Sequence, residues 1–241
     1  MFVFRERAGR VEVAFTAARD DDRPLNLALP GTAPAAAVGD PVADLAAVAT
    51  ALGATAVCGM AQVHGARVVD ATPDEPGSAG PAAPEADGIA SDRTDVALLV
   101  RVADCVPVLL ADPERGVVGA AHAGRLGVVA DVVGATVRRV RELGGHDVHA
   151  WIGPHVCGRC YEVPAAMQEE VAAVVPQTRA TTSWGTPALD LGAGVVAQLA
   201  DAGVARVHRV ERCTVEDPAL WSHRRDGASA GRLGGIVRVV A

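Results

Sequence analysis

"VADCVPVLLADPERGVVGAAHAG", residues 102–124, decides the fold of this 241-residue chain. An apolar strand gives way to a lone Asp104-Cys105. A second apolar run follows, a Pro- and Gly-bearing turn reverses the chain, and a third run ends at a lone His122. Short apolar runs bounded by turn residues are strand signals. Just upstream, "VALLVRVAD" supplies the first of three strands in succession.

Working outward, "VEVAF" alternates as a half-buried strand. Residues 39–53 read as a helix with Asp40 as N-cap, Pro41 in the first turn and Gly53 as stop. "TAVCGMAQVHG" and "ARVVD" read as strands around a Gly turn. After Gly124 a helix is expected, with Leu126, Val129, Val133, Val137 and Val140 on one stripe and Gly144-Gly145 as stop. "VHAWIG" is a further strand. Pro164 opens a helix, and Asp190 caps another that stops at Gly203. "VARVHRV" and "GGIVRVV" are late strands. Residues 71–87 carry four prolines and read as a surface loop, or as a lid, because they lie between two of the site residues named below. Strands in runs with irregularly placed helices predict an α/β (mixed α+β) fold. The expectation is a single domain, 1–241, of mixed β-sheets flanked by helices.

Composition narrows the function. Half the residues are hydrophobic, the net charge is −7, and no basic block stands out. Nucleic acid and anionic membrane surfaces are therefore disfavoured partners. No run is long enough for a membrane span, and the N-terminus lacks an apolar leader core. Five cysteines without a leader point to a reducing cytoplasm and to free or metal-bound thiols. No dinucleotide fingerprint and no Walker-type phosphate loop is present. Nothing in the pattern selects an oligomeric state.

Cys105, His64 and His122 each stand where an expected strand ends beside small residues or proline. Strand ends beside glycine turns are rigid supports facing clefts. Two imidazoles and a thiolate suit zinc and leave a fourth position open, as a catalytic site does. The same residues also read as a small buried thiol and two hydrogen-bonded imidazoles. "CGRC", residues 157–160, reads as structural thiols, a redox pair or half a zinc site; no second such motif completes it, though His155 is close. "WSHRRDGASAGR", residues 221–232, reads as a solvated loop or as an anion clamp of guanidinium forks.

Taken in order, "QVHG", "ADG", "ADCVPVLLAD", "AAHAG", "IGPHVCGRCYEV", "CT" and "SHRRDGASAGR" resemble the laccase-domain family, also named multicopper polyphenol oxidoreductase or YfiH-like proteins. The resemblance spans nearly the whole chain, with Cys105 and His122 seventeen residues apart. It implies His64, Cys105 and His122 as metal ligands, and one α/β domain with helices around mixed sheets. One departure stands out. The family usually reads His-Ala-Gly-Trp-Arg-Gly, whereas this chain reads His-Ala-Gly-Arg-Leu-Gly from His122, so the arginine is displaced to Arg125. Arg224 or Arg225 is the expected compensation.

The resemblance implies a zinc-dependent purine nucleoside phosphorylase acting on adenosine, inosine, guanosine or S-methyl-5'-thioadenosine, with adenosine deaminase activity. Its small-molecule partners are the nucleoside and phosphate. Cys105, His122 and Asp104 are the expected catalytic residues. Asn26, Gln62, Asp87, Arg125, Arg224 and Arg225 are the expected substrate-binding ones. A second expectation is a hydrolase that edits a peptidoglycan precursor by removing a wrongly attached amino acid. A copper polyphenol oxidase, with Met60 near the two His and the Cys, ranks below both because seven histidines are too few for a trinuclear cluster as well. A metal-free Cys105–His122 hydrolase is the mechanistic rival.

Overall fold

A computed structural model describes residues 1–31, 38–71, 79–80 and 82–240. The strands are β1 (Phe2–Ala8), β2 (Val11–Thr16), β3 (Arg19–Asp20), β4 (Arg23–Pro24), β5 (Ala56–Cys58), β6 (Val68–Asp70), β7 (Gly88–Ser91), β8 (Val96–Val102), β9 (Val106–Asp112), β10 (Val117–Ala123), β11 (His149–Ile152), β12 (Arg179–Thr181), β13 (Pro187–Leu189), β14 (Arg206–Arg209) and β15 (Leu233–Val239). The helices are α1 (Pro41–Leu52), α2 (Arg125–Val129), α3 (Val132–Glu142), α4 (Ala165–Val174), α5 (Leu191–Asp201) and α6 (His223–Asp226). None of the described helices is long and apolar enough to cross a membrane.

Two mixed sheets dominate. One runs β1-β2-β15-β8-β5 and the other β14-β11-β9-β10-β7-β6. Most neighbours are antiparallel; β5 with β8, β11 with β14 and β6 with β7 are parallel. The mixed α/β class expected from the sequence is the one observed.

The apolar runs 96–102, 106–112 and 117–123 are buried along their whole length because each strand is covered on both faces. Leu98 and Val100 from one sheet meet Leu109, Val118 and Trp151 from the other, forming the layer between the sheets. Val108, Leu110 and Ala121 face outward onto α3 and α5 through Val133, Val137, Val195 and Leu199. Ala97 and Leu99 face α1 through Val48 and Leu52. The order is helix, sheet, sheet, helices.

Helix ends follow the sequence signals. Asp40 accepts from the backbone of Val42 and Ala43, and Gly53 closes α1 at φ 63°. Asp190 accepts from Ala193 at the start of α5.

Two expectations are corrected. The helix after Gly124 is two helices, because Asp131 adopts φ 58° and caps α3 through Gly134. The break shifts the apolar phase: Leu126 is exposed and Val128 is buried in its place. The strand expected over 55–65 stops at Cys58. At Gly59 a Cβ would lie 2.8 Å from the Arg101 guanidinium, so the chain leaves the sheet where that side chain crosses it. His64 therefore sits in a turn, not at a strand end. Of the stretch 71–87 expected as a loop or lid, residues 72–78 and 81 lie outside the described residues.

Leu109 is fully buried between the sheets. Leu109→Ala is expected to cost about 2–5 kcal/mol, read as a lowered midpoint with an unchanged slope in urea unfolding.

Candidate active site and metal centre

The site forms at one end of the second sheet. Antiparallel pairing of β10 with both β7 and β9 brings the residues before β7 and β9 beside the end of β10. Asp87, Cys105 and His122 occupy these positions, and the turn at residues 63–65 closes over them.

Asp87 organises the group. It is completely buried. Oδ1 accepts from His122 Nδ1 at 2.8 Å and from the His64 backbone N–H at 3.0 Å. Oδ2 accepts from the backbone N–H of Gly65 at 2.7 Å and of Val63 at 3.2 Å. Burial opposes ionisation of Asp87, but the His122 bond and the Gly65 and His64 N–H groups outweigh it and hold the carboxyl below its ordinary range. The bond to Nδ1 leaves His122 Nε2 for another partner.

His64, Cys105 and His122 each offer one donor atom, and these atoms lie within 4.8 Å of one another. Cys105 Sγ is 3.8 Å from His64 Nε2, and the two imidazoles meet edge to face at 4.8 Å between centroids. Zinc–nitrogen and zinc–sulfur bond lengths put neighbouring tetrahedral ligands about 3.3–3.8 Å apart. The donor set and its spacing fit zinc with one position left for a reactant. The Asp87–His122 pair is the outer partner that metal-bound histidines ordinarily have.

Without a metal the same atoms polarise one another. Burial opposes the Cys105 thiolate, but the His122 charge and the bonds to His122 and His64 prevail, and the thiol is pulled down to about 6. Burial likewise opposes charging His122, but the Cys105 charge and the Asp87 bond raise it to about 9.

The cluster faces a cavity of about 810 Å³, within the range of small-molecule sites. Gln62, Asp104 and Arg224 line it with the three donors, as do Tyr161, Arg101 and Arg232. Asp104, at φ 89°, accepts from Thr214 Oγ1 at 2.6 Å and from the Arg224 backbone N–H at 2.7 Å. Gln62 uses both ends of its amide on the Arg101 backbone. The Arg224 guanidinium lies over the Tyr161 ring, 4.9 Å from its centroid.

Other expected residues lie behind this lining. Arg225 is committed to Asp226 and to the carbonyls of Thr214 and Leu220. Asn26 is buried and ties Arg232 and Val38 to the Ala28 backbone. Arg125 opens α2 outside the cavity lining, with its charge acting on Tyr161. His155 Nδ1 donates to the Gly153 carbonyl at 2.8 Å, and the ring is not among the donors of the cluster.

Sequence reasoning passed over two cavity residues. Arg101 is buried in an apolar strand and donates to the carbonyls of Leu27 and Ala79; burial lowers it to about 10. An arginine inside "VALLVRV" was the available signal, since arginine is seldom buried without a task. Tyr161 is the single tyrosine of the chain.

Residues 4–240 match the family model described as multi-copper polyphenol oxidoreductase laccase. The chain belongs to that family. It is 52% identical over 180 residues to a purine nucleoside phosphorylase of Streptomyces griseus, covering 74% of this chain and 72% of that one. It is 50% identical over 196 residues to another so named from Streptomyces coelicolor, covering 80% and 79%. Among solved structures, YlmD from Geobacillus stearothermophilus superposes with a TM-score of 0.84 at 28% identity, covering 100% of this chain and 99% of that one. The YfiH protein of Bacillus licheniformis gives 0.82 at 25% identity, covering 95% and 92%. The family resemblance and the fold read from the sequence both hold.

Asp87→Asn is expected to weaken zinc binding about 10–100-fold, measured by competition with a chromophoric chelator. In metal-free protein, the depressed Cys105 thiol contributes stability that is lost as pH falls through about 6. The raised His122 contributes stability that is lost as pH rises through about 9. Because the free thiol and imidazole titrate at 9.0 and 6.5, the first contribution grows over the range in which the second is lost, so melts of metal-free protein should be nearly flat between about pH 6 and 9, and Cys105→Ser should remove the thiolate absorbance that appears as pH rises through about 6.

Proposed function

We propose that the chain is a zinc-dependent purine nucleoside phosphorylase that also deaminates adenosine. The observation that carries the reading is the His64–Cys105–His122 cluster opening onto an 810 Å³ cavity lined by arginines. Relatives at 45–52% identity are named purine nucleoside phosphorylases, which supports it.

Phosphorolysis joins a phosphate oxygen to the anomeric carbon of the ribose and breaks the bond to the purine, whose departing nitrogen takes a proton. Arg224 and Arg232 are the cavity cations suited to orient the phosphate, with Arg101 adding fixed positive charge beneath them. Tyr161 keeps its proton, because burial and the Cys105 charge raise it above its ordinary range. It thus offers a hydrogen-bond donor to the substrate. Asp104 positions Arg224 by its backbone and holds Thr214. Bound zinc would supply Lewis-acid polarisation and a more acidic water, the chemistry that deamination at the purine six-position requires. His64, Cys105 and His122 would hold it, and Asp87 would fix the His122 proton on Nδ1.

The copper reading lacks a second centre. His149 and His208 stack on Trp151, and the other metal-capable group among the described residues is three thiols and a carboxylate, with no histidine. The line Asp87–His122–Cys105, with its depressed thiol and raised imidazole, favours one rival: a metal-free cysteine hydrolase. Chelation separates them. Activity lost with EDTA and restored by zinc supports the metal reading, whereas activity that survives EDTA and dies on alkylation assigns the dyad.

Zinc-loaded protein given adenosine and inorganic phosphate should yield adenine and ribose 1-phosphate, together with inosine. No base release from adenosine, inosine, guanosine or methylthioadenosine, alongside amino-acid release from a muramic-acid precursor, would replace this reading by precursor editing. A charge-assisted hydrogen bond is worth about 1.5–3 kcal/mol, so Arg224→Ala should raise the phosphate KM about tenfold or more. Arg225→Ala should lower the melting temperature and leave that KM within about twofold.

A further inference from the structure

Three of the five cysteines gather away from the cavity just described. Cys157 and Cys160 lie in the tight turn after β11, where the N–H groups of Cys160 and Tyr161 both donate to the Cys157 carbonyl at 3.0 Å. Cys213 arrives from the segment after β14, because β11 and β14 pair in parallel and their continuations stay together. The Thr214 N–H donates to the His155 carbonyl at 3.1 Å. The Cys157 N–H points at Cys213 Sγ, 3.4 Å away. Glu216 completes the group, with Oε1 3.5 Å from Cys160 Sγ. One donor atom from each of the four lies within 4.8 Å of the others. Cys160 is buried and Glu216 is exposed, so the cluster has a dry side and an open side through which an ion can enter.

We propose that Cys157, Cys160, Cys213 and Glu216 form a second zinc site, structural in kind and separate from His64, Cys105 and His122. Three thiolates and a carboxylate fill all four tetrahedral positions, leaving none for a reactant. On loading, each thiol gives its proton to solvent and its sulfur bonds to the ion, with no oxidant needed. A dithiol redox pair is the poorer reading. A third thiol and a carboxylate, the latter also 3.6 Å from the Arg159 guanidinium, are surplus to a two-thiol exchange.

The site would staple two segments that also build the cavity wall. Cys160 adjoins Tyr161. Cys213 adjoins Thr214, whose hydroxyl holds Asp104 and whose carbonyl accepts from Arg225. A metal here would fix the cavity wall without touching the substrate.

The test uses the full chain with Cys105→Ser, which disables the first site, purified anaerobically and incubated with zinc. Elemental analysis should find one zinc per chain, against two in the unaltered protein. X-ray absorption should show a sulfur-rich shell with one lighter scatterer, not the nitrogen-rich shell that His64 and His122 would give. Adding Cys213→Ser should abolish retention. If that variant does not fold, Cys105→Ser with Glu216→Ala, at the exposed ligand, should hold zinc at least tenfold less tightly against a chelator. Folded Cys105→Ser protein that retains no zinc, a nitrogen-rich shell, or a Cys157–Cys160 disulfide in fresh protein would overturn the proposal. None of these readouts depends on nucleoside turnover, so this inference and the proposed activity fail independently.

Discussion

A single buried carboxylate holds the site together. Asp87 receives three backbone N–H groups from residues 63–65 and one imidazole N–H from His122. Its own backbone carbonyl accepts from the His122 N–H. The turn it grips contains His64 at φ 63°, a conformation that costs a residue with a Cβ roughly 1–2 kcal/mol. Charge-assisted bonds from consecutive amides offset that cost and aim the imidazole at Cys105. Remove the carboxylate and the strands keep their pairing, but the turn loses its reason to present His64, and His122 loses the bond that sets its tautomer. The site is thus made by one anion working in two directions, toward a loop and toward a ring.

How much of this was readable beforehand follows from what each signal depends on. The three central strands were legible because burial on both faces leaves uninterrupted apolar runs, and α1 and α5 because their caps are local. The end of β5 was not. It stops at Cys58, and just beyond it the Arg101 side chain from neighbouring β8 leaves room only for a glycine at 59. The break between α2 and α3 was hidden because valines continue through it and only Asp131, in a left-handed conformation, marks the change of phase.

The site divides in the same way. His64, Cys105 and His122 could be picked out because each is a chemically distinct residue amid small apolar ones. Arg224 and Arg225 could not be told apart, since which of two adjacent arginines faces a cavity is set by the turn of α6. There Arg225 closes onto Asp226 and nearby carbonyls, while Arg224 reaches Tyr161. The convergence of Cys213 and Glu216 on "CGRC" was beyond any local reading, because a parallel pairing of β11 with β14 creates it.

The spacing of Cys105 and His122 is a consequence of register. In the β9–β10 hairpin, Val106 faces Ala123 and Pro107 faces His122. One step further along the same register sets Gly124 opposite Cys105. A Cβ at Gly124 would lie 2.6 Å from His64 Cδ2 and 3.1 Å from Cys105 Sγ, so that position must be glycine for the imidazole to approach the thiol at all. The "AHAG" at the end of β10 therefore does two things. The histidine supplies a donor from the last turn of the ladder, and the glycine two residues on clears the space into which the donor from the loop descends. The arginine that follows opens α2 and is carried away from the cavity lining. The donors themselves are set by strand register and by Asp87.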